Sequence, residues 1–347
     1  MILLREIQER DVDALEGFAQ IPGFINLTKD KAAIREKIRR SRSSFKEQLD
    51  DKLDGKYIFV AEDLSSHKVI GTSLIAARHG TEGSPHFYFQ VGSEERFSDT
   101  IQTGFIHGTL RLKADTDGPS EIGGLVLDPD QRNSDARVGR QISFVRFLFL
   151  ALNRNLFKRK ILAELMPPLN EEGRSPLWEA IGRRFTNMDY WEADQLCQKD
   201  KTFIFSLFPS GKIYTTFLSA DARNAIGKVG RDTEPVLHML KKIGFSYKNQ
   251  IDPFDGGPHL WANVENIRPV KRVAQLLFAD SVGSLSKQRV ESGLLCKAKQ
   301  ISGEFRAVAV DVQRNSKRLA IVGGESTKVM QTLGLTKGAA VAFMPYY

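Results

Sequence analysis

The sequence predicts an α+β protein, and three stretches carry that reading. "GKYIFVAEDLSSHKVIGTSLIAA" holds two strand-like runs, Tyr57 to Glu62 and Val69 to Ala76, around a polar turn, which is a hairpin pattern. "LVLDPDQRNSDARVGRQISFVRFLFLAL", from Leu125 to Leu152, passes from a short apolar run through a polar loop into apolar residues at helical spacing: Ile142, Val145, Phe149 and Leu152. Past Ile267, "FRAVAVDVQ", "KRLAIVGG", "ESTKVMQTLGLTKG" and "AAVAFMPYY" read strand, strand, helix, strand.

The remaining elements follow in order. "ILLREI" is a first strand, and Asp11 or Asp13 is placed to cap the helix "VDALEGFAQ". "KDKAAIREKIRRSRSSFKEQLDD" sets Ile34, Ile38, Phe45 and Leu49 on one face and a basic surface on the other. "PHFYFQVG", "TLRLKA" and "SEIGGLVL" read as strands, the last passing Gly123-Gly124, where a close approach to the backbone is possible. "RKILAEL" is a strand, and "SPLWEAIGRRF" is a helix with Ser175 as N-cap and Pro176 at its first position. "FIFSLFP" and "IYTTFL" read as two more strands. A small β-rich C-terminal subdomain, residues 281–347, is expected after a main domain of residues 1–280.

Composition narrows the classes. With 347 residues, 41% hydrophobic and 27% charged, the chain is long and apolar enough for a packed core. A net charge of +8 suits a phosphate-bearing ligand, but no basic tail or block concentrates it, so nucleic-acid binding is permitted and not indicated. The two cysteines and six histidines show no ligand spacing, so no metal site and no disulfide is expected. Arg5 comes too early for the apolar core of a signal peptide, and no run approaches the roughly 20 apolar residues that span a bilayer. A soluble, cytoplasmic protein is the expectation.

Arg132, Arg137 and Arg140 crowd the loop that leads into a helix N-terminus, around Gly139. The first N–H groups of a helix lack intrahelical partners and its dipole favours negative charge, so an anion such as a phosphate fits there. The alternative is a solvated loop whose arginines pair with Asp128, Asp130 and Asp135.

The order strand, helices, hairpin, strand, phosphate-type loop, helix, strand, helix resembles the GNAT superfamily of acyl-CoA-dependent N-acyltransferases. More narrowly, "SEIGGLVLDPDQR", "NEEGRSPLWEAIGRRFTNMDYWEADQL", "IYTTFLSADARNAIGKV", "DTEPVLHMLKKIGFSYKNQIDPFDGGP" and the opening "DVDAL" look like blocks of the arginine N-succinyltransferase family. They lie in the family's order and cover most of the chain up to about residue 265. The resemblance implies a GNAT-like, mostly antiparallel mixed sheet flanked by helices. It also implies transfer of succinyl from succinyl-CoA to the α-amino group of arginine, in arginine breakdown. It implies no permanently bound cofactor, with succinyl-CoA or another acyl-CoA as co-substrate. The partners would be small molecules, with a homo-oligomer or a heteromer of paralogous chains left open.

Carried over to this chain, the family's acyl-CoA-binding leucine is Leu125. Backbone N–H groups around Leu125, Val126 and Leu127 are the expected oxyanion donors, and Arg132, Arg137, Gly139 and Arg140 the expected phosphate ligands. Two departures stand out. The loop between Arg132 and Gly139 is longer and poorer in glycine than the family's. The family's catalytic histidine follows "IGxV", and here Gly230 stands at that position. His238 and Asp232 are the nearest titratable candidates for its role, with Tyr214 beside them. Each also reads as an ordinary residue: a surface histidine, a capping acid, a packed aromatic. Asp255 in "FDGGP" is the candidate for meeting an arginine guanidinium, with Glu121 and Asp128 as weaker ones. Two other functions stay open: an N-acyltransferase with a different acyl-CoA or amine, and a silent acyl-CoA-binding paralogue acting as a partner subunit.

Overall fold

A computed structural model describes residues 1–21, 30–131, 136–197, 200, 202–279, 285, 288–299 and 304–346. The N-terminal elements are β1 (Ile2–Glu6), α1 (Val12–Phe18), α2 (Lys31–Phe45), β2 (Lys56–Asp63) and β3 (Lys68–Ala76). Next come β4 (His86–Ser98), β5 (Thr103–Asp115), β6 (Ser120–Leu127), α3 (Val138–Leu152) and β7 (Lys160–Glu164). Helices α4 (Pro176–Ala180), α5 (Gly182–Thr186), α6 (Tyr190–Cys197) and α7 (Thr202–Leu207) precede β8 (Lys212–Tyr214), α8 (Ala220–Ala225) and α9 (Glu234–Ile243). The chain closes with β9 (Ser246–Ile251), β10 (Pro258–Asn263), α10 (Arg268–Lys271), β11 (Ala274–Phe278), β12 (Val290–Lys297), β13 (Arg306–Arg314), β14 (Arg318–Ile321), α11 (Ser326–Leu333) and β15 (Ala340–Pro345). Among the described residues, no helix is long and apolar enough to cross a membrane.

Contacts divide the chain into two compact units, and the division follows other lines than a cut at residue 281. The first comprises Met1–Ala77, Ile122–Arg159 and Val264–Tyr347; the second comprises Arg78–Glu121 and Lys160–Asn263. In the first unit the strand order is β12-β15-β11-β14-β13-β1-β2-β3-β6. β12 also pairs with β13, so β11 to β15 close a ring of five strands, and β1 joins it through Leu4↔Ala307. The expected C-terminal strands are all present, but β11 belongs to the same ring and precedes residue 281.

Packing in this unit follows the periodicity of the sequence. Ile34, Ile38 and Phe45 of α2 are buried, whereas Leu49 falls beyond the helix end. Phe45, Phe59, Phe149 and Phe305 meet edge-on, with ring centroids 5.3–5.4 Å apart in the Phe45–Phe59, Phe45–Phe149 and Phe149–Phe305 pairs. Such pairs contribute about 0.5–1.5 kcal/mol beyond their area. Asp11 stands at the N-cap of α1 but makes no side-chain cap bond. Its carboxylate instead takes both guanidinium ends of Arg5, at 2.7 and 2.9 Å. Asp13 pairs with Lys31 at 2.9 Å.

In the second unit the order is β7-β10-β9-β4-β5-β8. The first residues of β6 pair in parallel with β7, through Ser120↔Ile161 and Glu121↔Leu162. β11 and β14 also pair in parallel, and the other registers described run antiparallel. Two expectations are corrected here. "FIFSLFP" is helix α7, not a strand: Asp200 accepts from the Thr202 N–H at 2.8 Å, and the buried residues Ile204 and Phe208 lie four apart, a helical spacing. "IYTTFL" keeps only Lys212–Tyr214 as strand, then turns in a short 3-10 helix. Ser175 and Pro176 open α4 as expected, with the Trp178 N–H donating to Ser175 Oγ at 3.1 Å. "PLWEAIGRRF" nevertheless breaks at Ile181, φ −122, and glycine is required at 182, where a Cβ would lie 2.1 Å from the Trp178 ring. Trp178 is fully buried and stacks on Phe254 at 4.7 Å.

Candidate active site

In the first unit the candidate residues lie on β6 and the start of α3. Val126 is buried, and Leu125 and Leu127 are half-buried. Parallel pairing with β7 covers only Ser120 and Glu121, so among the described residues the backbone from Ile122 to Leu127 has no register with β7. Gly124 adopts a left-handed conformation, φ 54, that favours glycine, and a Cβ there would press on the Leu74 side chain. Arg146 is buried on α3, donating to Ser143 O at 3.0 Å, Ser143 Oγ at 2.8 Å and Gly123 O at 3.3 Å. Burial pushes its guanidinium down to about 9, so it stays charged at neutral pH, and no carboxylate pairs with it among the described residues. A cation beside this strand favours an anion nearby.

At the helix start, Arg137 is the N-cap in a left-handed conformation, φ 48, and makes no capping bond with its side chain. The Arg140 and Gln141 N–H groups both donate to the Arg137 carbonyl, whereas the Val138 and Gly139 N–H groups have no acceptor among the described residues. Those two are the orphan donors that an anion would take. Arg137 is exposed, and Arg140 stacks over the Tyr346 ring at 4.1 Å. Arg132 lies outside the described residues. Asp128 closes its own turn, accepting from the Asp130 N–H at 3.0 Å.

The second unit, taken by itself, holds an acidic cluster of candidate residues. Asp255 is half-buried and accepts from the Gly257 N–H at 2.8 Å. Burial, and after it the charge of Asp252 with those of Glu164 and Asp194, holds its carboxyl well above the usual range. Burial together with Asp255 and Asp252 pushes the Tyr190 hydroxyl up as well. Gly256 at φ 84 sits in a turn closed by the Gly256 N–H donating to Asp252 O at 3.0 Å, so the glycine pair shapes the acidic loop.

The structure does not gather the titratable candidates near Gly230. His238 and Asp232 are exposed, on α9 and the turn before it. The Tyr214 hydroxyl donates to Glu94 at 3.0 Å. Gly230 is extended, φ −66, and its N–H donates to Met166 O at 3.0 Å.

What the fold does gather was not visible in the sequence. His79, His86 on β4 and His259 on β10 turn their Nε2 atoms toward one oxygen, Glu164 Oε1 at the end of β7, at 3.5, 3.3 and 3.6 Å. His79 Nδ1 lies 2.7 Å from Glu121 Oε2. Burial favours the protonated form of Glu164, but the three histidines outweigh it and hold the carboxyl well below its usual range. Burial pushes His259 down to about 4. These residues come from four strands and a loop, spread from residue 79 to 259, so no local spacing announces them.

A family model described as the arginine N-succinyltransferase beta subunit matches residues 2–269. An arginine N-succinyltransferase of Citrobacter koseri is 33% identical over 328 residues, 94% of this chain and 93% of that one. One of Escherichia coli is 35% identical over 275 residues, 78% and 79% of the two chains. The chain belongs to the arginine N-succinyltransferase family. A solved structure, arginine/ornithine succinyltransferase subunit AI from Pseudomonas aeruginosa, superposes with a TM-score of 0.83 at 26% identity, covering 99% of this chain and 98% of that one. The α+β class expected from the sequence, a mixed and mostly antiparallel sheet with helices, is the one found, with β6 and β7 paired in parallel.

Proposed function

We propose that this protein transfers the succinyl group of succinyl-CoA to the α-amino group of L-arginine. Family membership across nearly the whole chain is the observation that carries the reading. The neutral amine attacks the thioester carbonyl, an oxyanion forms, the nitrogen loses a proton and CoA thiolate leaves. Leu125 to Leu127 supply backbone N–H groups for the carbonyl oxygen, and the Val138 and Gly139 N–H groups with Arg132 and Arg137 take the CoA phosphates. Asp255, pressed by Asp252, Asp194 and Glu164, answers the guanidinium, because a bound cation relieves the repulsion that raises its pKa.

Gly230 contributes no proton-transfer group, and His238 on α9 and Asp232 on the turn before it are exposed. Positioning and oxyanion stabilisation remain without it, at a cost of about 10²–10⁴-fold in rate. Incubating the pure protein with succinyl-CoA and arginine, while following free thiol and succinylarginine, tests the proposal. Product at a rate below that of an ordinary family member is expected. CoA binding without turnover on arginine, ornithine or related amines would instead favour a silent partner subunit.

The long β4–β5 hairpin supports association with a second copy of the chain. Phe97, Ile101, Phe105 and Ile106 cluster toward its tip and are 60–74% exposed. A lone soluble chain seldom leaves such a patch uncovered.

A further inference from the structure

We infer that His79, His86 and Glu164 form a binding site for a first-row divalent metal ion of the zinc class. The donor atoms of these three residues all lie within 4.8 Å of one another. Tetrahedral zinc with bonds near 2.0–2.1 Å separates its ligand atoms by about 3.3–3.4 Å. The Nε2–Oε1 distances from His86 and His79 to Glu164 are 3.3 and 3.5 Å, close to that edge length. Two imidazoles and a carboxylate are the donor set that zinc and its neighbours take, with open positions left for water or another ligand.

Three further observations point to an ion. Among the described residues, neither ring nitrogen of His86 nor of His259 has a hydrogen-bond partner in good geometry, Glu164 being only an ion-pair neighbour, although both side chains are at least 98% buried. Unsatisfied buried polar groups are rare, and a cation between them and Glu164 would satisfy those that face it. His79 presents Nε2 to Glu164 while its Nδ1 is held by Glu121 at 2.7 Å, the carboxylate–histidine support that orients metal-bound imidazoles. The side chains of His79 and Glu164 are 19% and 28% exposed, which leaves a path for an ion to enter.

A second trio, Glu164, Asp252 and His259, shares the glutamate. Asp252 Oδ1 already accepts from the N–H groups of Phe254 and Asp255, at 2.6 and 3.2 Å, so the first trio is the centre. His259 Nε2, 3.6 Å from the same Glu164 oxygen, stands as a reserve donor. Glu164 precedes by two residues the Met166 carbonyl that receives the Gly230 N–H. A water acidified by such an ion would thus be two residues and one hydrogen bond removed from the position where the family's histidine is missing. That last step rests on the transferase reading; the metal site does not.

The full chain is stripped with a chelator, incubated with Zn²⁺ or Co²⁺, desalted, and assayed for metal by mass spectrometry. About one ion per chain is expected to remain, with intense visible bands from Co²⁺ in a four- or five-coordinate site and a higher melting temperature with Zn²⁺. His86→Ala should abolish all three signals, and Glu121→Gln should weaken metal affinity by about 10–100-fold. Wild-type protein that retains no stoichiometric metal, or a folded His86→Ala that retains as much as wild type, overturns the inference. Should His86→Ala not fold, the wild-type Co²⁺ spectrum and the Glu121→Gln affinity decide alone. None of these readouts uses turnover, so a failure of the succinyl-transfer proposal stays distinguishable.

Discussion

Gly230 lies against Pro167: a Cβ built on Gly230 would come 2.9 Å from the Pro167 carbonyl oxygen and 3.4 Å from its carbonyl carbon. The backbone angle is no obstacle, since φ −66 suits any residue, so the restriction is the neighbouring chain. Gly230→His should therefore destabilise the protein by roughly 1–3 kcal/mol, as other overpacked sites do, and Gly230→Ala should show the same loss. Acyl-CoA affinity should stay unchanged and turnover should not rise. Denaturation curves, calorimetry with CoA and single-turnover assays measure the three. A rise in turnover of 10²–10⁴-fold, roughly the contribution of an acid–base group, would mean that the strand end at Pro167 yields and the old geometry survives.

Asp255→Asn is expected to trade function for stability. The Asp255 pKa is raised, so the folded state holds a proton more tightly than the unfolded state does. Stability from that group is present below the ordinary carboxylate pKa and is lost as pH rises through the raised one. Asparagine keeps an oxygen for the Gly257 N–H without the charge, so the variant should melt higher at neutral pH and no higher in acid. Its KM for arginine should rise by about 10–150-fold, matching a lost charged hydrogen bond of about 1.5–3 kcal/mol. An unchanged KM would remove Asp255 from the acceptor site.

Much of this fold was legible because burial in it is periodic. Ile34 and Ile38 on α2, Ile142 and Phe149 on α3, and the run of β2 all go where their spacing sends them. α7 misled because its phenylalanines suggest a strand, while the deciding signal, the Asp200 cap, is one residue. The candidate region on β6 was readable since strand, loop and helix are contiguous. The histidine cluster was not: His79, His86, Glu164 and His259 meet only through strand order, with β7 beside β10 and β4 reached through β9. A residue-spacing rule sees only ligands that share one element.

The buried Arg5–Asp11–Glu62 group makes a sharp test of the first unit. Burial alone would lower the Arg5 pKa, but Asp11 and Glu62 outweigh it and raise the value. Asp11→Ala should cost about 3–5 kcal/mol in urea denaturation, since it leaves a buried guanidinium short of a partner. Arg5→Met combined with Asp11→Leu and Glu62→Gln should recover part of that loss. A loss below about 1 kcal/mol for Asp11→Ala would show that water reaches the group, as at an exposed ion pair.

The β4–β5 tip offers a test of association. Phe105→Ser with Ile106→Ser removes two side chains that are 60% and 74% exposed, so the monomer fold should be unaffected. Light scattering should show wild type heavier than one chain at micromolar concentration and the double variant shifted toward monomer. Wild type running as a monomer would retire the proposal.

The loop before α3 separates arginines that serve phosphate from one already engaged. Arg140 stacks on Tyr346 at 4.1 Å, whereas Arg137 is exposed at the helix start beside the orphan N–H groups of Val138 and Gly139. Arg132, which lies outside the described residues, is proposed from its place in the sequence. Arg132→Ala and Arg137→Ala should each weaken acyl-CoA binding by about 10–150-fold, the loss of one charge-assisted hydrogen bond of about 1.5–3 kcal/mol. Arg140→Ala should weaken it less, because that guanidinium must leave its aromatic face to reach a phosphate. Gly139→Ala should be tolerated, since its Cβ would meet Leu127 at an ordinary 3.4 Å. Binding measured against salt checks the charge assignment: each lost phosphate contact should flatten the dependence. If Arg140→Ala proves the most damaging of the three, the stacked arginine swings onto the phosphates and Tyr346 is only its resting place.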